Sequence, residues 1–238
     1  TKASVNLILH AHLPYVRHLE YPKFLEEDWL FESLCETYIP LLRMLEKLAD
    51  DGVCYRLSIC FSPTLCTMLT DGPLQERFLG YLSSRIELGQ KEVERCRKED
   101  NGCLEMAQRY LDNYLSCQDC YEANGRNILN GFIRLQDRGI IELIATAATH
   151  CYLPLYKDYE SAVKAQVEIG IKSHISFFHT APKGFWLPEC GYYPGLEKIL
   201  SEYGVRWCQI PAHSIITARN KILSAGYQPV RLYDSSVA

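Results

Sequence analysis

Residues Gly184 to Pro194, GFWLPECGYYP, set one acidic residue, Glu189, between a short apolar run and the turn-forming Gly191. Two aromatic residues follow, and Pro194-Gly195 opens a new helical pattern. A carboxylate just past a buried strand sits at the strand's C-terminal end, the rim where parallel β/α folds do their chemistry. A charge is kept in such a place when it is hydrogen-bonded, paired or used. The plainer reading makes Glu189 an acid near the start of the following helix, where the helix dipole favours it. Other polar residues gather at equivalent positions. His10-Ala11-His12 ends the first apolar run, and alternation along an extended strand puts both imidazoles on one face. Ala148-Thr149-His150 ends a third run, and Gln209 and His213 follow a fifth.

Three histidines and a glutamate at one rim suit either of two chemistries. In metal-assisted hydrolysis, as in a metal-dependent sugar deacetylase, His10, His12 and a carboxylate would hold a zinc-like ion. No distinctive aspartate accompanies the histidine pair, however. In carbohydrate chemistry a carboxylate attacks the anomeric carbon while imidazoles hydrogen-bond the sugar hydroxyls. Sugars also stack on aromatic faces, and Trp29, Trp186, Tyr192 and Tyr193 lie near the expected rim loops, with core packing as the alternative use of each.

The elements that must position these residues are legible in the periodicity. Val5–His10 is almost continuously apolar, as a strand buried on both faces is. Leu30, Leu34, Ile39, Leu42, Leu45 and Leu48 recur at threes and fours and predict a helix from about Trp29, with Pro40 kinking or dividing it. Asp51-Gly52 stops that helix, and Val53–Phe61 reads as a second strand. From Thr64 to Asp137 the pattern is almost wholly helical, broken near Asp71-Gly72-Pro73 and at Glu99-Asp100-Asn101-Gly102. This is too long for a simple crossover, so 64–137 reads as a helical insertion after the second strand. Ile140–Thr146 is a third strand, Tyr159–His179 a helix and Gly184–Leu187 a fourth strand. Gly195–Tyr203 then gives a helix and Val205–Ile210 a fifth strand. Strands alternating with helices imply a parallel sheet, and five such units favour a barrel over a small open sheet. A barrel of seven or eight units needs more sequence, so residues 1–238 read as the N-terminal part of one catalytic barrel domain, as though the chain were cut.

Composition narrows the classes. The chain has 238 residues, a 47% apolar fraction and a formal net charge of −4, so no basic field recommends nucleic acid or an anionic membrane as partner. No apolar run is long enough to span a bilayer, and Val5–Leu9 is too short for a secretory leader. There is no G-x-G-x-x-G after the first strand and no phosphate-binding lysine loop, so nucleotide binding is unsupported. Eleven dispersed cysteines, an odd count without a dense framework, point to reduced thiols in a cytoplasmic protein. Cys117-Gln118-Asp119-Cys120 has metal-ligand spacing, but it lies in a helical stretch with no second pair and reads as helical cysteines.

Three blocks carry a resemblance. His10-Ala11-His12-Leu13-Pro14, with Arg17-His18, the Glu27–Glu32 block around Trp29 and Glu36–Leu42, resembles the opening of glycoside hydrolase family 57. Ile141–Ile144 through Thr149-His150-Cys151-Tyr152-Leu153-Pro154-Leu155 is similar to that family's second conserved region. Trp186-Leu187-Pro188-Glu189-Cys190-Gly191-Tyr192 resembles the third, which holds the nucleophile. The blocks fall in family order, and the Trp29 and His150 blocks most resemble the 1,4-α-glucan branching enzymes. The resemblance implies a distorted (β/α)7 TIM-like barrel, here incomplete, acting with retention on an α-glucan polysaccharide or malto-oligosaccharide. It makes Glu189 the catalytic nucleophile and His10, His12, Trp29, His150, Trp186 and Tyr192 substrate-binding residues. It implies no metal or organic cofactor, and it sets no oligomeric state. Branching, as in glycogen biosynthesis, leaves 4-α-glucanotransferase and α-amylase as alternatives within the family. The family's acid/base aspartate lies in a later, fourth region, and the surroundings of Asp234 do not resemble it. The helical domain that follows the barrel in branching enzymes is likewise expected beyond this chain. A non-catalytic glucan-binding remnant is therefore a further alternative, and His213–Gln228 is a candidate acceptor-side loop.

Overall fold

The computed structural model describes residues 5–99, 102–217, 228–231 and 235–238. Along the chain these form β1 (Ile8–Ala11), α1 (Leu25–Ser33), a π-helical turn (Leu34–Tyr38), α2 (Ile39–Asp50), β2 (Leu57–Phe61), α3 (Pro63–Leu69) and α4 (Gly72–Glu99). Then follow α5 (Leu104–Ala123), α6 (Leu129–Asp137), β3 (Ile141–Thr146), α7 (Glu160–Phe178), β4 (Gly184–Trp186), α8 (Leu196–Glu202), β5 (Trp207–Cys208) and α9 (Ala212–Ile216). Short 3-10 turns at Leu153–Tyr156 and Pro188–Cys190 follow β3 and β4. The residues cluster into two compact units, one of Thr1–His12, Arg56–Cys66 and Ile141–Ala238, the other of Leu13–Tyr55 and Thr67–Ile140.

The first unit holds one parallel sheet in the order β1-β2-β3-β4-β5. In a flat sheet β1 and β4 would lie three spacings, about 14 Å, apart. Yet His10 on β1 and Trp186 on β4 stack at 4.6 Å between ring centroids, nearly parallel at 4°. The sheet therefore curls hard toward the face that carries these rings, as the wall of a β/α barrel does. Five parallel strands in sequence order, curled this way, are part of a (β/α) barrel, as expected. Alternation puts Ala145 and Phe185 on the other face, in one buried cluster with Val163, Val167 and Ile171 of α7 and Leu196 and Leu200 of α8.

The ladders are shorter than the apolar runs. Val5 and Leu7 are exposed, and Val53–Arg56 lies outside β2. Beyond Cys208 the backbone heads into Pro211 and α9, so only two of the six residues expected in the fifth strand pair with β4. On the other side of β5, the Cys208 N–H donates to the Ala238 carbonyl (3.0 Å) and the Ala238 N–H to the Arg206 carbonyl (2.9 Å). Gly184 permits the β4–β5 contact, because a Cβ there would sit 2.3 Å from an atom of the Trp207 indole.

The second unit is helical and takes residues after both β1 and β2; of the segment 64–137, residues 67–137 fall in it. The expected helix is divided into α1 and α2 just before Pro40. With no N–H to give and a ring that would strike the carbonyl four residues back, Pro40 is accommodated by the π-helical turn before it, closed by Ile39 N–H to Leu34 O. The break at Asn124-Gly125, which the helical pattern hid, is a helix stop with Gly125 and Arg126 both at positive φ. A buried ion pair fastens the start of this unit. Glu27 is fully inside and accepts from Arg77 at 2.7 Å and from the His18 N–H at 3.0 Å, while Arg77 also reaches the carbonyls of His18 and Tyr21. This sets the helix that carries Trp29, a residue 46% exposed.

Helix α7 presses on β3 so closely that a Cβ on Gly170 would stand 2.1 Å from the Thr146 carbonyl oxygen. Backbone cannot retreat from such a clash. Gly170→Ala should therefore lower stability by about 1–3 kcal/mol, outweighing the ~1 kcal/mol helix-propensity gain, as read from the denaturation midpoint. One turn on, His174 is 4% exposed with neither ring nitrogen partnered among the described residues, and burial lowers its pKa to about 4. Replacing it with the similarly sized leucine should raise stability at pH 7 by about 1–3 kcal/mol, since two desolvated polar atoms disappear. Because the folded pKa lies below the unfolded value of 6.5, wild type loses stability as pH falls from about 6.5 toward 4. His174→Leu should flatten that slope, and an unchanged slope would contradict the assignment.

Candidate active site

The C-terminal ends of β1, β3 and β4 bring His10, His12, His150, Trp186 and Glu189 together. The rings form a stack: Trp186 to His10 at 4.6 Å, His10 to His150 at 4.7 Å, and His150 to His12 at 4.0 Å. Strand alternation leaves His10 and His12 6.0 Å apart and 14° from parallel. Glu189 meets the stack through His150 Nε2, 3.3 Å from its Oε1. The side chain of His150 is 9% exposed and that of Glu189 76%, so the carboxylate projects from a ring wall that is itself largely covered.

Local backbone aims these groups. Thr146 at the end of β3 donates from Oγ1 to the Trp186 carbonyl at 2.8 Å, tying the two strand ends together. The following turn is clamped by Gln166 of α7, whose amide accepts from the Thr149 N–H (3.0 Å) and donates to Thr149 Oγ1 (3.0 Å). That clamp delivers His150 at φ 54°, a left-handed conformation. Glu189 (φ 52°) and Cys190 (φ 54°) are left-handed too, within the turn closed by Cys190 N–H to Leu187 O and Gly191 N–H to Pro188 O. Non-glycine residues persist in this region only when their surroundings impose it, and such residues cluster at functional sites. Gly191 meets the Tyr152 ring so closely that a Cβ would lie 2.4 Å from it.

The helix-acid reading of Glu189 belongs to a different residue. Buried Glu197, in the first turn of α8, accepts the Gly195 N–H at 2.8 Å and the Tyr192 hydroxyl at 2.9 Å. Tyr192 thus packs against the core with its hydroxyl committed to Glu197, and burial followed by that bond raises its pKa. Trp29 lies in the helical unit, and His213 is an exposed residue of α9. Residues 218–227 of the candidate acceptor-side loop, and Asp234, lie outside the described residues.

Ser62 was not anticipated. Its hydroxyl lies 2.8 Å from His12 Nδ1 and 3.1 Å from Thr64 Oγ1, and it accepts the Leu65 N–H at 3.3 Å as the N-cap of α3. The signal was present as Ser62-Pro63 at a strand-to-helix junction, a capping serine followed by proline at the first helical position.

Burial is the leading cause that lowers the pKa of His10 to about 3 and of His12 to about 4, with the neighbouring imidazoles lowering both further and Glu189 partly opposing this at His12. Both rings are therefore neutral near pH 7, each with one donor and one acceptor nitrogen. Several of these polar atoms have no partner among the described residues: both nitrogens of His10, Nδ1 of His150, Nε1 of Trp186 and the whole amide of Gln209 are buried and unpaired. Among the described residues no group of three or more His, Cys, Asp or Glu is arranged to hold a metal ion. Zinc needs lone pairs converging in the ring planes at about 2.0–2.1 Å, and rings stacked face to face aim theirs along separate, near-parallel planes. All eleven cysteines are free, and among the described residues no helix is long and apolar enough to cross a membrane.

Curled parallel strands with a carboxylate and stacked imidazoles at their C-terminal ends define a β/α-barrel type of site. Glycosyl hydrolase family 57 matches residues 6–236, and the chain belongs to that family. It is 35% identical over 223 residues to a 1,4-alpha-glucan branching enzyme of Thermococcus kodakarensis, covering 87% of this chain and 32% of that protein. Among solved structures it is similar to the alpha-amylase AmyC of Thermotoga maritima, with a TM-score of 0.91 and 39% identity over 96% of this chain and 44% of that one. The branching enzyme of Pyrococcus horikoshii gives a TM-score of 0.81 and 34% identity over 90% of this chain and 42% of that one. The chain thus spans about a third to under a half of the length of these relatives.

The depressed histidine pKa values carry a prediction. The unfolded state takes up protons below pH 6.5 that His10 and His12 refuse when folded, so stability falls as pH drops from about 6.5 toward 4 and is unaffected by them above 6.5. An NMR titration of the ring Cε1 protons should find both apparent pKa values well under 6.5. Values at or above 6.5 would contradict a neutral stack.

Proposed function

We propose that this chain carries the nucleophile half of a retaining glycosyl-transfer site for α-1,4-glucans, and that the reaction forms α-1,6 branches. The observation that carries this reading is the meeting of Glu189 with three stacked imidazoles, of which both nitrogens of His10 and Nδ1 of His150 are buried without partners among the described residues. A bound sugar supplies hydroxyls that both donate and accept, and so satisfies neutral imidazoles of either tautomer. Glu189 attacks the anomeric carbon of the glucosyl unit, the bond to the leaving glucan oxygen breaks, and a covalent glycosyl-enzyme forms. The 6-hydroxyl of a second glucan chain then displaces Glu189 and loses its proton, giving the branch. His10, His12 and His150 hold the glucosyl unit, Ser62 orients His12, and Trp186 packs behind His10 as a flat wall. Trp29 is a substrate-stacking residue in this reading, and Tyr192 acts through the Glu197 bond that shapes the turn after Glu189. No residue of this chain is assigned as the acid that protonates the leaving oxygen. The setting is glycogen biosynthesis in a reducing cytoplasm, which suits eleven free thiols.

A second reading, hydrolysis with water as the acceptor on the same glycosyl-enzyme, is favoured by the likeness to the Thermotoga maritima alpha-amylase. Both readings share the first step, and that step is tested first. Intact mass of the full-length protein, after incubation with a fluorinated glucosyl inactivator, should show one adduct per molecule on the peptide containing Glu189. Glu189→Ala should show none and lose roughly 10⁴-fold or more in turnover. A wild type that binds malto-oligosaccharide yet takes no label would overturn the assignment. NMR of the product glucan separates the readings, since branching builds α-1,6 linkages and hydrolysis only shortens chains.

A further inference from the structure

Gln209 stands apart from the ring stack in chain position but not in surroundings. The β4–β5 ladder pairs Gly184 with Trp207 and Phe185 with Cys208 and ends there, and Trp186 and Gln209 are the residues that follow its last pair. Trp186 shares the face of Gly184, where the Trp207 indole lies over Gly184, and because Cys208 and Ile210 both pack against the cluster on the other face, Gln209 between them turns to this one. This is the face onto which the sheet curls and on which His10 stacks against Trp186. Gln209 Oε1 and Nε2 are both buried, and neither has a partner among the described residues. The same is true of Trp186 Nε1 on that face. Buried polar side chains are paired in native structures, so such a run of unpaired atoms calls for an occupant.

The occupant must satisfy an amide acceptor, an amide donor and an indole donor side by side on a wall of aromatic rings. A primary amide presents its acceptor and its donor next to each other. Two adjacent hydroxyls of a pyranose ring match that pair, one giving its proton to Oε1 and the other accepting from Nε2. We propose that Gln209 is a specificity-determining residue that grips a vicinal diol of the glucosyl unit bound at Glu189, with Trp186 Nε1 donating to one of the same hydroxyls. The inference rests on the reading of Glu189 as the nucleophile and adds which substrate feature the site selects. Sugars lacking either hydroxyl leave the amide half-paired in a desolvated place and are rejected for that reason.

The test measures the rate at which the fluorinated glucosyl inactivator labels Glu189 in the full-length protein, for wild type, Gln209→Met and Gln209→Glu. Methionine keeps the shape without the hydrogen bonds and should slow labelling roughly tenfold to a hundredfold. An inactivator with one hydroxyl of the diol removed should label wild type more slowly by a similar factor, yet suffer little further loss in Gln209→Met, because the two changes delete one contact. Labelling of Gln209→Met at the wild-type rate, or losses that simply multiply, would overturn the proposal while leaving Glu189 in place. If the methionine variant does not fold, by circular dichroism and thermal midpoint, Gln209→Glu decides. It keeps the acceptor and loses the donor, so it should be slowed and be sensitive to only one of the two hydroxyls, and wild-type behaviour would overturn the proposal. Absence of label on wild type itself would remove the Glu189 reading and this one with it.

Discussion

The arrangement of this site depends on one constraint, the two-residue alternation of parallel strands held in register. In the β3–β4–β5 ladder, Ala145 and Phe185 turn toward α7 and α8 and are buried with their leucines and valines. Their sequence neighbours must then turn the other way. Because the sheet curls, that second face is concave, and side chains from strands that are not neighbours meet across it. His10 and Trp186 come from the first and fourth strands and still stack. A slip of one residue in any ladder would send a site residue into the helices and an apolar residue into the site.

Burial and the neighbouring rings keep His10 and His12 neutral near pH 7. Charged rings at 4.0 to 4.7 Å would repel one another, whereas neutral rings stack and offer both a donor and an acceptor. The carboxylate is treated differently. Glu189 stands out from the covered wall on a left-handed turn, where its charge keeps contact with solvent and with His150 Nε2. One surface thus holds a covered wall of hydrogen-bonding rings and an open carboxylate, separated by the left-handed turns at His150 and Glu189.

The helical unit is organised by local rules of another kind. Its faces follow the 3.6-residue period, and Phe78 meets Tyr121 edge-on at 4.8 Å in its core. The pair Glu27–Arg77, closed over the carbonyls of His18 and Tyr21, turns the loop after Leu13 into a fixed segment rather than a free connection. Removing one partner would strand a buried charge, a loss of about 3–5 kcal/mol in comparable pairs.

The amino-acid sequence by itself determined the order of strands and helices, because periods of 2 and 3.6 and the turn residues between them are local signals. It also placed His10, His12, His150 and Glu189 at strand ends, since a position just past an apolar run is a statement about the chain alone. What it left undecided was who pairs with whom. Ser62 and Glu197 gave only capping signals, yet one reaches His12 and the other takes the Tyr192 hydroxyl and the helix start that Glu189 was also eligible for. The length of β5 depended on ladder partners rather than on apolarity, and the π-helical turn before Pro40 on helical packing that continues past it. The stacking of the rings was likewise illegible from spacing, because a stack of rings and a ring of ligands use the same residue types. Only the tertiary structure sets the angle between the rings, since the curl of the sheet brings together residues 10, 150 and 186, which no local signal connects.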